Sequence, residues 1–112
     1  MKRYGMVTRL RPEGVEEYKR LHAAVWPEVL ERVRQCRIHN YSIYLRQLDD
    51  GYTYLFSYFE YAGSDFAADM ARMAGDPATQ RWWTLCKPMQ KPLADLNPDE
   101  WWVAMEEVFH QD

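Results

Sequence analysis

Cysteine is scarce in this chain: Cys36 and Cys86 stand alone and far apart, without a CxxC pair or a zinc-type spacing. That excludes a disulfide-stapled scaffold and a cysteine-built metal centre, and two reduced thiols are expected. Neither thiol lies near a marked base, which argues against a cysteine nucleophile. Positive charge is also short. With 14 Lys and Arg against 17 Asp and Glu, the net charge is −3 and no basic stripe forms, so no nucleic acid partner is expected. No apolar run approaches the roughly 20 residues that span a bilayer. Met1-Lys2-Arg3-Tyr4-Gly5 leads into an alternating segment rather than an apolar signal region. The expectation is a cytoplasmic protein with no membrane partner.

What is abundant is aromatic. Five Trp and eight Tyr in 112 residues exceed what a plain core requires, and each brings a polar tip that needs a partner. With 47% hydrophobic residues the chain reads as one globular domain over residues 1–112.

Residues 3–10 alternate as a strand. Arg11-Pro12-Glu13-Gly14 is a turn, and a helix is expected from Val15 to Gln35, kinked or restarted at Pro27. His39 to Arg46 alternates again, Asp49-Asp50-Gly51 signals a hairpin, and Tyr52 to Tyr61 is a strand apolar on both faces. Such a strand needs cover on both sides, and a second subunit is the economical source of one. Ser64 or Asp65 caps a helix carrying Phe66, Met70 and Met73, and Asp76-Pro77 opens another. Pro88, Pro92 and Pro98 predict an irregular loop, and Val103 to Phe109 a last strand. The order strand, helix, strand, strand, helix, strand predicts an α+β fold of the ferredoxin-like split βαβ type. Its antiparallel sheet would carry the helices on one face, and the molecule would be dimeric.

Tyr18, His22 and Trp26 recur every four residues on the expected long helix, so their rings stand on one face. Histidine exchanges protons near neutral pH, and between two aromatic walls it would suit a polar ring such as a sugar. The same row also fits ordinary core packing. Tyr41 shares its strand face with Ile43 and Leu45, so its hydroxyl needs a buried partner, which a ligand could supply. Trp82 and Trp83 point about 100° apart on a helix: either one fills the core and one an interface, or they form a stacking wall. Trp101-Trp102 reads as structure or dimer contact. The spacing of His22, His39 and His110 fits no zinc pattern, and Gly51-Tyr52-Thr53-Tyr54-Leu55-Phe56 only faintly echoes an RNA-binding strand.

Taken jointly, four stretches resemble the L-rhamnose mutarotase family over nearly the whole chain. They are Tyr18…His22-Ala23-Ala24-Val25-Trp26-Pro27-Glu28, His39-Asn40-Tyr41-Ser42-Ile43-Tyr44-Leu45, Gln80-Arg81-Trp82-Trp83 and Glu106-Glu107-Val108-Phe109. The resemblance implies a small cytoplasmic ferredoxin-like homodimer joined through its sheets. It implies interconversion of the α and β anomers of a 6-deoxy monosaccharide, without cofactor or metal. Carried over, His22 would be the proton donor, and Tyr18, Tyr41, Trp82 and Trp83 would contact the sugar. L-Fucose is an alternative substrate. Two rival readings are a dimeric ferredoxin-like small oxygenase, which would show haem absorbance or oxygen consumption, and a sugar-binding module without catalysis.

Overall fold

The computed structural model describes residues 1–93 and 100–112. Three long strands, β1 (Lys2–Leu10), β2 (Ile38–Gln47) and β3 (Thr53–Tyr61), form the body of an antiparallel sheet. The order is β2-β3-β1, and the far edge of β1 pairs with two short strands, β4 (Gln90–Lys91) and β5 (Val103–Met105). The hairpin between β2 and β3 closes at Gly51, whose φ of 87° is open to glycine without strain.

β3 alternates between buried and half-buried residues along its full length. Its inner row, Leu55, Ser57, Phe59 and Tyr61, lies beneath four helices: α1 (Val15–His22), α2 (Pro27–Gln35), α3 (Phe66–Ala74) and α4 (Pro77–Cys86). One core cluster joins Leu10 and Leu55 to Tyr18, Val29 and Trp82; the other joins Ile38, Phe59 and Tyr61 to Met73. Asp65 caps α3 by accepting from the Ala68 amide at 3.1 Å. Asp76 caps α4 through the Thr79 amide at 3.0 Å and pairs with Arg32 of α2 at 3.1 Å.

One expectation is borne out and two are corrected. The helix restarts at Pro27, one of the two expected outcomes, after residues 23–26 leave the helical path. Trp26, which precedes Pro27, takes an extended conformation (φ −59°, ψ 134°), as the proline ring's clash with a helical predecessor requires. The proline-rich loop contains a 3₁₀ turn (Lys87–Met89) and the short strand β4, while Pro98 lies outside the described residues. The last strand stops at Met105, and residues 106–112 are exposed and without regular structure. Two adjacent carboxylates at Glu106 and Glu107 suit solvent, and Glu107 reaches back to Arg3 at 2.8 Å.

β2 carries a bulge. His39 pairs with Glu60 and Ser42 with Tyr58, so Asn40 and Tyr41 together oppose Phe59. Asn40 absorbs the extra residue at φ 49° and anchors its amide on Glu60 Oε1 at 2.6 Å.

Candidate active site

α1 delivers two of the candidate residues. Four positions apart, Tyr18 and His22 stack with ring centroids 4.0 Å apart and planes inclined by 22°. His22 Nδ1 lies 2.8 Å from the Tyr18 carbonyl oxygen. A carbonyl only accepts, so Nδ1 carries the hydrogen, and Nε2 of the neutral ring keeps its lone pair. Nε2 has no hydrogen-bond partner among the described residues. The imidazole is half-buried, and that burial holds its pKa below the ordinary 6.5; the bond to the Tyr18 carbonyl opposes part of the effect.

The second wall of the imidazole is Trp82, not Trp26. The edge-on Trp82 ring lies 5.2 Å from His22, inclined by 66°. Trp26, displaced by the helix break, meets the same indole at 5.2 Å. Trp82 therefore joins the two rings that the expected helical row would have joined directly. It is buried in the larger core cluster, so the site rests on the hydrophobic core.

Tyr41 arrives from β2 by way of the bulge. A regular strand would place Ile38 and Tyr41 on opposite faces; the extra residue sets both toward the helices. Its ring meets Phe59 at 5.6 Å. The residue as a whole is 46% exposed, yet burial of its hydroxyl end, together with the Cys86 thiol, pushes its ionisation up to about 12. Tyr18 is raised as well, first by burial and then by Tyr41 and Cys86, while a hydrogen bond from Gln90 opposes the rise. Burial also pushes the Cys86 thiol up to about 11. Near neutral pH the cluster is thus two un-ionised phenols, a protonated thiol and one imidazole able to gain or lose a proton.

Trp83 is placed differently. It is half-buried between the two core clusters and faces a groove of about 620 Å³ on the outer side of α4. There Lys87 Nζ sits 5.0 Å from the Trp83 ring and 5.5 Å from Trp101. A second groove, of about 650 Å³, lies at the opposite sheet edge between residues 1–5 and β5. Neither groove is lined by His22. His39 is paired across the sheet with Glu60 and His110 bonds Asp112, and among the described residues no three metal-binding side chains converge. Sequence reasoning missed Cys86 and Gln90 as neighbours of the phenols. Cys86 could have been found from its spacing to Trp82, four residues earlier on α4; Gln90, between two prolines, gave no signal.

Residues 3–111 match a family model described as L-rhamnose mutarotase. The chain is similar to proteins of that name from Oceanobacillus iheyensis, 33% identical over 112 residues, and from Bacillus subtilis, 32% identical over 112 residues. A protein of the same name from Lactiplantibacillus plantarum is 34% identical over 112 residues; in all three pairs each chain is covered completely. The crystal structure of an L-rhamnose mutarotase from Formosa agariphila is similar in fold, with a TM-score of 0.74, 22% identity and complete coverage of both chains.

Proposed function

The chain belongs to the L-rhamnose mutarotase family, and on that premise we propose that it interconverts the α and β anomers of L-rhamnose by proton transfer at His22. The supporting observation is the imidazole held between Tyr18 and Trp82 with Nδ1 tied to a backbone carbonyl and Nε2 without a hydrogen-bond partner among the described residues. Ring opening breaks the bond from C1 to the ring oxygen. It adds a proton to that oxygen, removes one from the anomeric hydroxyl and leaves a C1 carbonyl. Rotation about C1–C2 and reclosure give the other anomer. Both oxygens are bonded to C1, so one nitrogen facing them can donate to the first and accept from the second. The phenols of Tyr18 and Tyr41, un-ionised, serve as hydrogen-bond donors to the sugar. The Trp82 indole beside His22 suits the apolar side of the ring and its 6-methyl group, whereas Trp83, over a separate groove, has no part in this assignment. The reaction transfers no electrons, so a metal and a cofactor are unnecessary to it.

The test is exchange between the anomeric protons of L-rhamnose and of L-fucose, read by NMR saturation transfer. Exchange of L-rhamnose well above the spontaneous rate is expected. A low His22 pKa keeps the neutral imidazole dominant to below pH 6.5. Activity should therefore hold level from pH 7 to about 10 and fall at an acid limb below 6.5. Rates equal to the protein-free solution at every pH would overturn the assignment.

The architecture we assign is a single ferredoxin-like domain in a cytoplasmic homodimer. β3 lying antiparallel between β1 and β2 supports the split βαβ reading. For the dimer, the support is the outer sheet face, where Tyr54 and Phe56 stack at 6.1 Å beside Tyr44, which is 65% exposed. Sedimentation velocity should give twice the 13.5 kDa chain mass, and Tyr44→Asp should shift the protein toward monomer.

A further inference from the structure

Trp26 is the one ring of the Tyr18, His22, Trp26 row that the proposed chemistry leaves unused. After His22 the helix runs out: the Ala23 amide still donates to the Lys19 carbonyl at 3.0 Å, and the Ala24 amide tightens onto the Leu21 carbonyl at 3.2 Å. Pro27 then holds its predecessor in extended backbone. The Trp26 carbonyl accepts from the Val29 and Leu30 amides at 3.0 and 3.1 Å, so its backbone opens the first turn of α2. In an unbroken helix Trp26 would stand one turn on from His22, over the imidazole. The break gives it to Trp82 instead, whose ring it meets at 5.2 Å and 71°.

Trp82 is 6% exposed, so it offers a ligand only a narrow strip of its ring, and the tilt of the indole decides where that strip lies. Two ring contacts bear on the tilt, one from His22 and one from Trp26, both at 5.2 Å. The imidazole takes its own direction from α1, through Nδ1 on the Tyr18 carbonyl. Trp26 comes from the side of α2, which is tied to α4 twice over. Arg32 of α2 pairs at 3.1 Å with Asp76, the cap of α4, and Val29 of α2 lies in one core cluster with Trp82. The Trp26–Trp82 contact therefore joins two elements already held together, and it does so without touching the proton-transferring ring.

We infer, on the mutarotase reading above, that Trp26 is a positioning residue for sugar selectivity: it fixes the tilt of Trp82, so that the indole beside His22 packs on the 6-methyl group of L-rhamnose. That contact is apolar and lies away from C1, so it is made alike with the closed sugar and with the opening one. It acts on binding and leaves proton transfer to His22. L-Lyxose is the pentose with the same ring hydroxyls and no C6, so it has nothing to place against the indole. One carbon in an apolar pocket discriminates about 10- to 200-fold.

The test compares wild type, Trp26→Ala, Trp26→Leu and Trp26→Phe by NMR anomer exchange of L-rhamnose over a range of sugar concentrations, with thermal unfolding recorded for each. L-Lyxose is measured beside it, by its own exchange and as a competitor of L-rhamnose. In Trp26→Ala the KM for L-rhamnose should rise about tenfold with kcat within about threefold, while the affinity for L-lyxose stays within about twofold. Trp26→Phe, which keeps an aromatic ring against Trp82, should restore most of the preference for L-rhamnose. Equal losses for the two sugars would make Trp26 a plain core residue and overturn the inference, as would a wild-type KM in Trp26→Ala or a loss confined to kcat. Should Trp26→Ala not fold, Trp26→Leu, apolar but without a ring, decides by the same comparison. In each of these cases wild-type exchange above the spontaneous rate leaves the mutarotase reading standing; wild-type exchange at the spontaneous rate overturns both.

Discussion

Anomer exchange should fall by about 100- to 10,000-fold in His22→Ala, the range spanned by the contribution of one positioned acid or base. The size of the loss follows from the composition of the cluster. Tyr41 does not ionise until about pH 12 and Cys86 until about pH 11, and Tyr18 is raised by the same burial. None of the three is available as a base near neutrality, so no neighbour takes over when the imidazole is gone. The fold should persist, because His22 is only half-buried at the end of a short helix and outside both core clusters. NMR saturation transfer on folded His22→Ala would read the effect directly, and exchange within a few-fold of wild type would remove His22 from the mechanism.

Trp82→Ala is expected to have the largest effect on stability. Trp82 is buried in the main core cluster and meets both His22 and Trp26 at 5.2 Å. Truncating a buried tryptophan costs about 3–5 kcal/mol through lost burial and the cavity left behind. For a domain of this size that lowers Tm by more than about 10 °C. Activity should decline alongside, since the cavity opens beside the imidazole and frees its ring from one wall. Trp82→Phe, which keeps an aromatic edge in place, should recover most of the stability and part of the exchange. A Trp82→Ala protein melting within 2–3 °C of wild type would show that the indole carries little of the core.

The sheet was legible because its signals are local. Alternation marked β1 and β2, a run apolar on both faces marked β3, and Asp49-Asp50-Gly51 marked the turn that Gly51 makes at φ 87°. Helix starts were legible for the same reason: Asp65 and Asp76 cap from their own side chains. At Pro27 the sequence announced a disturbance but not its extent, since a proline shows that a hydrogen bond is lost and not where the chain goes next. β4 was invisible: two residues between prolines hold no periodicity, and they form a strand only because β1 offers an unpaired edge. The Tyr18–His22 stack could be read from helical spacing, being a neighbour relation within one turn. The Trp82 wall could not, because packing across the core, and not proximity in the chain, brings α4 against α1.

The doubled position on β2 has a consequence for how this fold tolerates changes of length. Deleting Asn40 would not trim a surface loop; it would put the ladder back in simple phase. Either Ile38 would then face water or Tyr41 would leave the phenol pair. One doubled position thereby lets a single strand turn both Ile38 and Tyr41 toward the helices.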